Sequence, residues 1–151
     1  MPQPTVPETL EFLLVQVCRL HYLRAHELLE AIGLYRGQPP LLQALWDREG
    51  QTHTELGERL GLAPATVTRM LQRMEKAGFV LRKADPDDQR VSRVYLTEAG
   101  HAIRGAVQEV WQTMEEETYA GLTGDEQQVL HRCLLQVRGN LRQATGSKML
   151  Y

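Results

Sequence analysis

Leu56-Gly-Glu-Arg-Leu60-Gly-Leu-Ala-Pro64-Ala-Thr-Val-Thr-Arg-Met70-Leu-Gln-Arg-Met-Glu75-Lys-Ala-Gly78 is the stretch whose reading decides the fold. It spells two short helices joined by a tight turn. Thr52-His-Thr-Glu55, just upstream, is a capping box in which a hydroxyl and a carboxylate three residues apart satisfy each other's free N–H groups. Leu56 and Leu60 form the buried face of the first helix, Gly61 makes the turn and Leu62 plugs the corner. Pro64 opens the second helix, where its missing N–H costs nothing, and Gly78 closes it. Val67, Met70, Leu71 and Met74 recur at i, i+3, i+4 and i+7, the period of one apolar helix face. The opposite face carries Ala65, Thr66, Thr68, Arg69, Gln72, Arg73 and Lys76. These side chains are small, hydroxylic, amide or basic, and suit base edges and phosphates.

After Gly78 the period changes to two. Val80 precedes Arg82-Lys83, and Arg93-Val-Tyr-Leu96 alternates polar with apolar. Between them, Asp85-Pro-Asp-Asp-Gln89 has no hydrophobe, so the segment predicts a hairpin with a polar tip. Arg90 stands near that tip, placed to enter a minor groove, with Asp88 two residues away to orient its guanidinium. Arg93 and Lys83 are expected on the DNA backbone. From Pro64 to Arg93 there are seven Lys or Arg and four Asp or Glu, a balance of +3, whereas the whole chain is −2. Positive charge is therefore concentrated where phosphates would lie, and the remainder of the chain is acidic. Ala63 stands where a capping Ser or Asp is common, so the second helix is expected to lack a side-chain cap, at a cost of roughly 1 kcal/mol.

At these residues the chain resembles the MarR family of bacterial transcription regulators. The matching strings are Thr52-x-x-Glu-Leu56-x-x-Arg-Leu60-Gly-Leu62, Thr66-Val-Thr-Arg69, Met74-Glu-Lys-Ala-Gly78-Phe-Val80 and Asp88-x-Arg90-x-x-Arg93-Val-x-Leu96-Thr-Glu-x-Gly100. The last is the most specific, because it joins the hairpin to the start of the next helix. The resemblance implies an obligate homodimer, a palindromic operator in double-stranded DNA and a small-molecule effector that weakens DNA binding. The implied fold is mainly α with a small β-hairpin wing, a winged helix-turn-helix with N- and C-terminal dimerisation helices.

The rest of the chain reads as scaffold for pairing two such units. Residues 1–36 form a Pro-rich arm and a dimerisation helix running from about Glu8 to Ile32. Its apolar residues fall nearly all round the helix, more than one buried face needs, and a second subunit would explain the surplus. Residues 37–97 form the DNA-binding lobe, in which Pro39 and Pro40 start a helix that ends at Gly50. Residues 98–151 supply the C-terminal dimerisation helices, one intertwined domain with the first segment. Thr97 caps the first of them, whose expected stripe is Ala99, Ala102, Ile103, Ala106, Val107, Val110, Trp111 and Met114. Gly121 breaks it, and Thr123-Gly-Asp-Glu126 is a second capping box. The final helix carries Val129, Leu130, Cys133, Leu134, Val137 and Leu141.

A length of 151 residues permits one domain with a real core. There is no secretory signal and no apolar stretch near the ~20 residues of a membrane helix, so no membrane role and a cytoplasmic location are expected. Cys18 and Cys133 do not make a disulfide framework. No Gly-rich phosphate loop, His-Glu-x-x-His or activated nucleophile is found, so the chain is read as no enzyme, with no cofactor and no metal site. The five histidines are scattered.

For an effector, the resemblance implies a cleft between the dimer helices and the DNA-binding lobe, where His21, Tyr22 and Trp46 would receive a small aromatic or phenolic ligand. The function expected is that of a homodimeric transcriptional repressor on a palindromic operator, relieved by such a ligand. Two alternatives stay open. One is a thiol-based redox regulator acting through Cys18, which is otherwise a packing residue. The other is a winged-helix module for protein–protein contact.

Overall fold

Leu41, Leu42, Leu45, Leu56, Val67, Leu71, Met74 and Val94 are all completely buried, and they come from four different elements. The computed structural model describes residues 9–35 and 37–147. Its elements are α1 (Leu10–Ala31), α2 (Gln38–Asp47), β1 (Gln51–Thr52), α3 (His53–Leu60), α4 (Pro64–Lys76), β2 (Val80–Ala84), β3 (Ser92–Leu96), α5 (Glu98–Thr118) and α6 (Gly124–Thr145). Helices α2, α3 and α4 pack around one apolar centre. The sheet closes one side of it through Val80, Val94 and Leu96. This is a winged helix-turn-helix.

Caps define most of the boundaries. Thr52 and Thr123 each form the reciprocal capping box with the Glu three residues on. The Thr97 hydroxyl accepts from the Gly100 N–H, and the Thr9 hydroxyl from the Phe12 N–H. Thr9 thus starts α1; the expected start at Glu8, the Pro-rich arm of residues 1–7 and the final residues 148–151 lie outside the described residues. Gly61 (φ 64°) turns the chain between α3 and α4, a left-handed conformation open to glycine at little cost. Ala63 supplies no side-chain cap to α4.

The wing is a three-stranded antiparallel sheet in the order β1-β3-β2, not a hairpin alone. Lys83 pairs with Arg93 and Val80 with Leu96 across the hairpin, while Gln51 pairs with Val94 on the other side. Strand β1 was not expected, because two residues carry no periodicity. Helix α2 also ends at Asp47, not Gly50. Both differences have one cause. Gln51 is buried, and its side-chain amide donates to the carbonyls of Ala44 (2.7 Å) and Arg48 (2.5 Å). It satisfies the end of α2 and holds β1 against the sheet.

Helix α5 joins the lobe to α1. Its core-facing row is Ile103, Val107, Val110 and Met114, whereas Ala99, Ala102 and Trp111 of the expected stripe are exposed. Helix α1 buries Ala25 and Leu29 in the same core, and α1 and α5 are further tied by Arg24, which donates two bonds of 2.7 Å to Glu117. Gly100 anchors the other end: an added Cβ would stand 2.1 Å from the carbonyl oxygen of Phe79.

The remaining apolar surface has no cover in this chain. In α1, Leu10, Val15, Val17 and Leu20 are more than half exposed. No residue of α6 is buried, and Val129, Leu134, Leu135 and Leu141 all face outward. An intramolecular bundle of the terminal helices, the arrangement a monomer would need, is absent among the described residues. No helix among them is long and apolar enough to cross a membrane.

Candidate nucleic-acid interface

Helix α4 is driven into the lobe by Val67, Leu71 and Met74, which are buried, with Met70 partly so. That face fixes what the other one shows. Ala65, Arg69, Gln72, Arg73 and Lys76 are exposed, with Thr66 and Thr68 half-buried at the flanks. The Thr68 hydroxyl donates back to the Pro64 carbonyl at 3.0 Å. No residue of the first turn is long enough to keep a groove floor away.

The seven cations counted between Pro64 and Arg93 divide into two kinds. Arg82 and Arg93 are paired with carboxylates of the protein itself. Arg82 of β2 donates from Nε (2.5 Å) and Nη2 (2.7 Å) to the two carboxylate oxygens of Glu75 on α4. Arg93 donates from Nε to Asp85 and from Nη1 to the Gly50 carbonyl (2.8 Å), with Glu55 at 4.0 Å. Both pairs raise the arginine pKa through the side-chain hydrogen bond. Among the described residues, Arg69, Arg73, Lys76, Lys83 and Arg90 enter no ion pair. Lys83 rests its ammonium over the Tyr95 ring, 5.2 Å from the centroid.

Two sequence expectations change here. Arg93, expected on the DNA backbone with Lys83, is a third exposed and engaged by Asp85 and the Gly50 carbonyl, so that it also works as the bolt of the wing. Asp88, expected to orient the Arg90 guanidinium, accepts instead from the Arg90 backbone N–H at 3.0 Å. An Asp carboxylate reaches the backbone two residues on more readily than a long side chain. The guanidinium of Arg90 is left exposed at the tip.

Asp85 is the residue that sequence reasoning missed. It is buried, and besides Arg93 its carboxylate accepts from the N–H groups of Asp87 (2.8 Å) and Asp88 (3.2 Å). The Arg93 bond first, and the Asp87 N–H next, hold its pKa below the ordinary carboxylate value. Its signal was only the start of a turn-rich run. The Glu75–Arg82 pair gave none, since it joins a helix to a strand across the turn at Gly78.

The geometry is that of a recognition helix flanked by a pinned wing, with loose cations on both. A model of the MarR family matches residues 34–92, which run from within the α1–α2 loop to the first residue of β3. The transcriptional regulator TtmR of Methylorubrum extorquens is 33% identical over 142 residues, covering 89% of this chain and 72% of that protein. The chain belongs to the MarR family. Another relative, the transcriptional regulator HosA of Escherichia coli, is 34% identical over 66% of this chain and 74% of its own length. Among solved structures, a cysteine-to-serine variant of MarR from E. coli complexed with operator DNA superposes with a TM-score of 0.74 at 30% identity. That match covers 85% of this chain and 92% of the other.

The effector residues expected in this MarR-family chain lie on two helices, α1 and α2. His21 and Tyr22 are exposed on α1. Trp46 on α2 is half-buried, donates its indole N–H to the Gly100 carbonyl at 2.9 Å, and lies under the Arg104 guanidinium at 5.9 Å. It is engaged as a joint between the lobe and α5. Two surface depressions are lined by Arg48, Gln51, Glu55, Glu58 and Arg59, and by Gln112, Glu115, Glu116, Tyr119 and Gln127. Neither includes any of the three. Cys18, read as a packing residue, is exposed in the chain, as is Cys133, because both lie on the uncovered parts of α1 and α6.

Proposed function

We propose that this chain is a homodimeric, DNA-binding transcriptional repressor acting on a palindromic operator. The observation that carries the reading is the division of cations. Arg82 and Arg93 are spent holding the wing to the lobe, which leaves Arg69, Arg73 and Lys76 on α4, and Lys83 and Arg90 on the wing, without a counter-charge. A frame braced by its own ion pairs while its neighbouring cations stay unpaired suits a polyanion. In this reading α4 lies in the major groove, with Arg69 and Arg73 on guanine or phosphate and Ala65, Thr66, Thr68 and Gln72 beside them. Arg90 enters the flanking minor groove, Lys83 meets the backbone, and Asp88 shapes the turn that carries Arg90. The uncovered apolar rows of α1 and α6 support pairing with a second copy. A small aromatic ligand received near His21 and Tyr22 would act by changing the separation of the two lobes and so breaking simultaneous docking.

The test is selection of bound sequences from a random duplex library, with the wild type and Arg90→Ala. The expected result is an inverted repeat with half-sites roughly 10 base pairs apart. The variant should bind it more weakly by roughly 1–3 kcal/mol. Enrichment of no motif, with binding indifferent to salt, would sink the reading in favour of a protein-contact module.

A further inference from the structure

The exposed surface of α4 is two ridges of different chemistry. Ala65, Thr68 and Gln72 stand at i, i+3 and i+7, and so do Thr66, Arg69 and Arg73; residues at that spacing share one side of a helix. The first ridge is neutral and the second carries both guanidinium groups. Glu75 follows Gln72 by three residues and Thr68 by seven, and its carboxylate grips Arg82 of β2, so the neutral ridge borders the wing. Met70, between Thr66 and Arg73 on the other side, approaches Gly37 at the start of α2. The cationic ridge therefore lies away from the wing.

Each side chain of the neutral ridge has a matching base edge. Gln72 presents an amide with a donor and an acceptor, the complement of adenine N6–H and N7. Thr68 has committed its hydroxyl proton to the Pro64 carbonyl, so toward a base it offers its methyl group and an acceptor oxygen but no donor. Ala65 has only a methyl and leaves room for approach. A methyl surface beside an amide describes an A·T pair, with the thymine 5-methyl against apolar carbon. The neighbouring wing points the same way. Arg90 is held out by the Asp85 turn, and A·T steps narrow the minor groove and strengthen the negative potential that draws a guanidinium.

Resting on the DNA-binding reading above, we infer that each operator half-site is graded. An A·T pair on the wing side is read by Gln72 and by the Thr68 methyl against thymine, and guanine on the far side is read by Arg69 and Arg73.

The experiment takes the selected operator and replaces each thymine in turn with deoxyuridine, which removes only the 5-methyl. Binding is measured for the full-length wild type and for Thr68→Ser, which keeps the hydroxyl and loses the methyl. The expected result is one wing-side position per half-site at which deoxyuridine weakens wild-type binding about four-fold, the effect of one methyl-sized group. Thr68→Ser should bind the thymine operator about four-fold more weakly and show no further loss with deoxyuridine. A site selected without A·T on the wing side, no thymine sensitive to deoxyuridine, or the same loss in Thr68→Ser would each overturn the assignment while leaving the DNA-binding reading standing. Selection of no operator at all would overturn both.

Discussion

Glu75 near the end of the recognition helix and Arg82 on the first wing strand hold each other by two parallel bonds, guanidinium to carboxylate. The pair makes one rigid piece of the two elements that would meet DNA. Both side chains are about a third exposed or less (33% and 27%), and the geometry is bidentate. Arg82→Met is expected to lower stability by about 1 kcal/mol, the upper range for a partly exposed pair. If the pair sets the angle of the wing, operator affinity should fall further than the melting curve does. Affinity unchanged within two-fold would show that the wing is positioned without it.

His53 opens α3 beside this pair, and its Nε2 is buried with no hydrogen-bond partner. Burial first, and the Arg82 charge second, push its pKa below the ordinary 6.5, with Glu75 opposing. The folded state therefore binds this proton less tightly than the unfolded chain. The associated stability is fully present above the unfolded pKa and is lost as pH falls from there through the folded pKa. Thermal melts of the wild type should drop more steeply than those of His53→Gln as pH falls below about 6.5. Parallel pH profiles for the two proteins would refute it.

Asp85 has the same sign in a more acidic window. Its pKa is held below the ordinary value by Arg93 and by two backbone N–H groups, so its contribution is present above that value and lost as pH falls through the folded pKa. Asp85→Asn removes the counter-charge from Arg93 and weakens the turn at the tip. Hydrogen exchange at the amides of Asp87 and Asp88 should accelerate by at least ten-fold while α2 and α4 keep their protection. Global unfolding at the same rate everywhere would mean that the bolt serves the whole lobe.

The lobe was legible because its signals are local. A Thr and a Glu three residues apart, a glycine at the turn and a period of 3.6 in Val67, Met70, Leu71 and Met74 each depend on neighbours in sequence. The candidate contact face follows from that period alone, since burying Leu71 leaves Gln72 and Arg73 outside. What joins elements was not legible. The bond of Arg93 to Asp85 and Gly50 and that of Gln51 to Ala44 depend on three-dimensional placement; Arg93 reads from sequence as a DNA contact, and Gln51 carries no local signal. Trp46 shows the same limit: nothing among its sequence neighbours foretold that its indole N–H is fastened to the Gly100 carbonyl.

Gly100 is a point of close packing between the lobe and α5. Its carbonyl accepts from Trp46, and a Cβ on it would lie 2.1 Å from the Phe79 carbonyl oxygen, a backbone atom that cannot swing aside. Gly100→Ala should destabilise by about 3 kcal/mol, at the high end for overpacking, despite the better helix propensity of Ala. Urea denaturation followed by Trp fluorescence measures this. A loss under 1 kcal/mol would mean that β2 and α5 shift apart at little cost.

Leu20 on α1 and Leu141 on α6 are 65% and 56% exposed in the single chain. If the chain acted alone, charging either position would change stability by no more than about 0.5 kcal/mol, as at other surface sites. If the two helices pack against a second copy, Leu20→Glu or Leu141→Glu places a carboxylate in an apolar interface. Sedimentation should then show a wild-type dimer and monomeric or unfolded variants. The wild-type melting temperature should also rise with protein concentration, as mass action requires of a dimer. A monomeric wild type with a concentration-independent melt would remove the two-fold symmetry on which a palindromic operator depends.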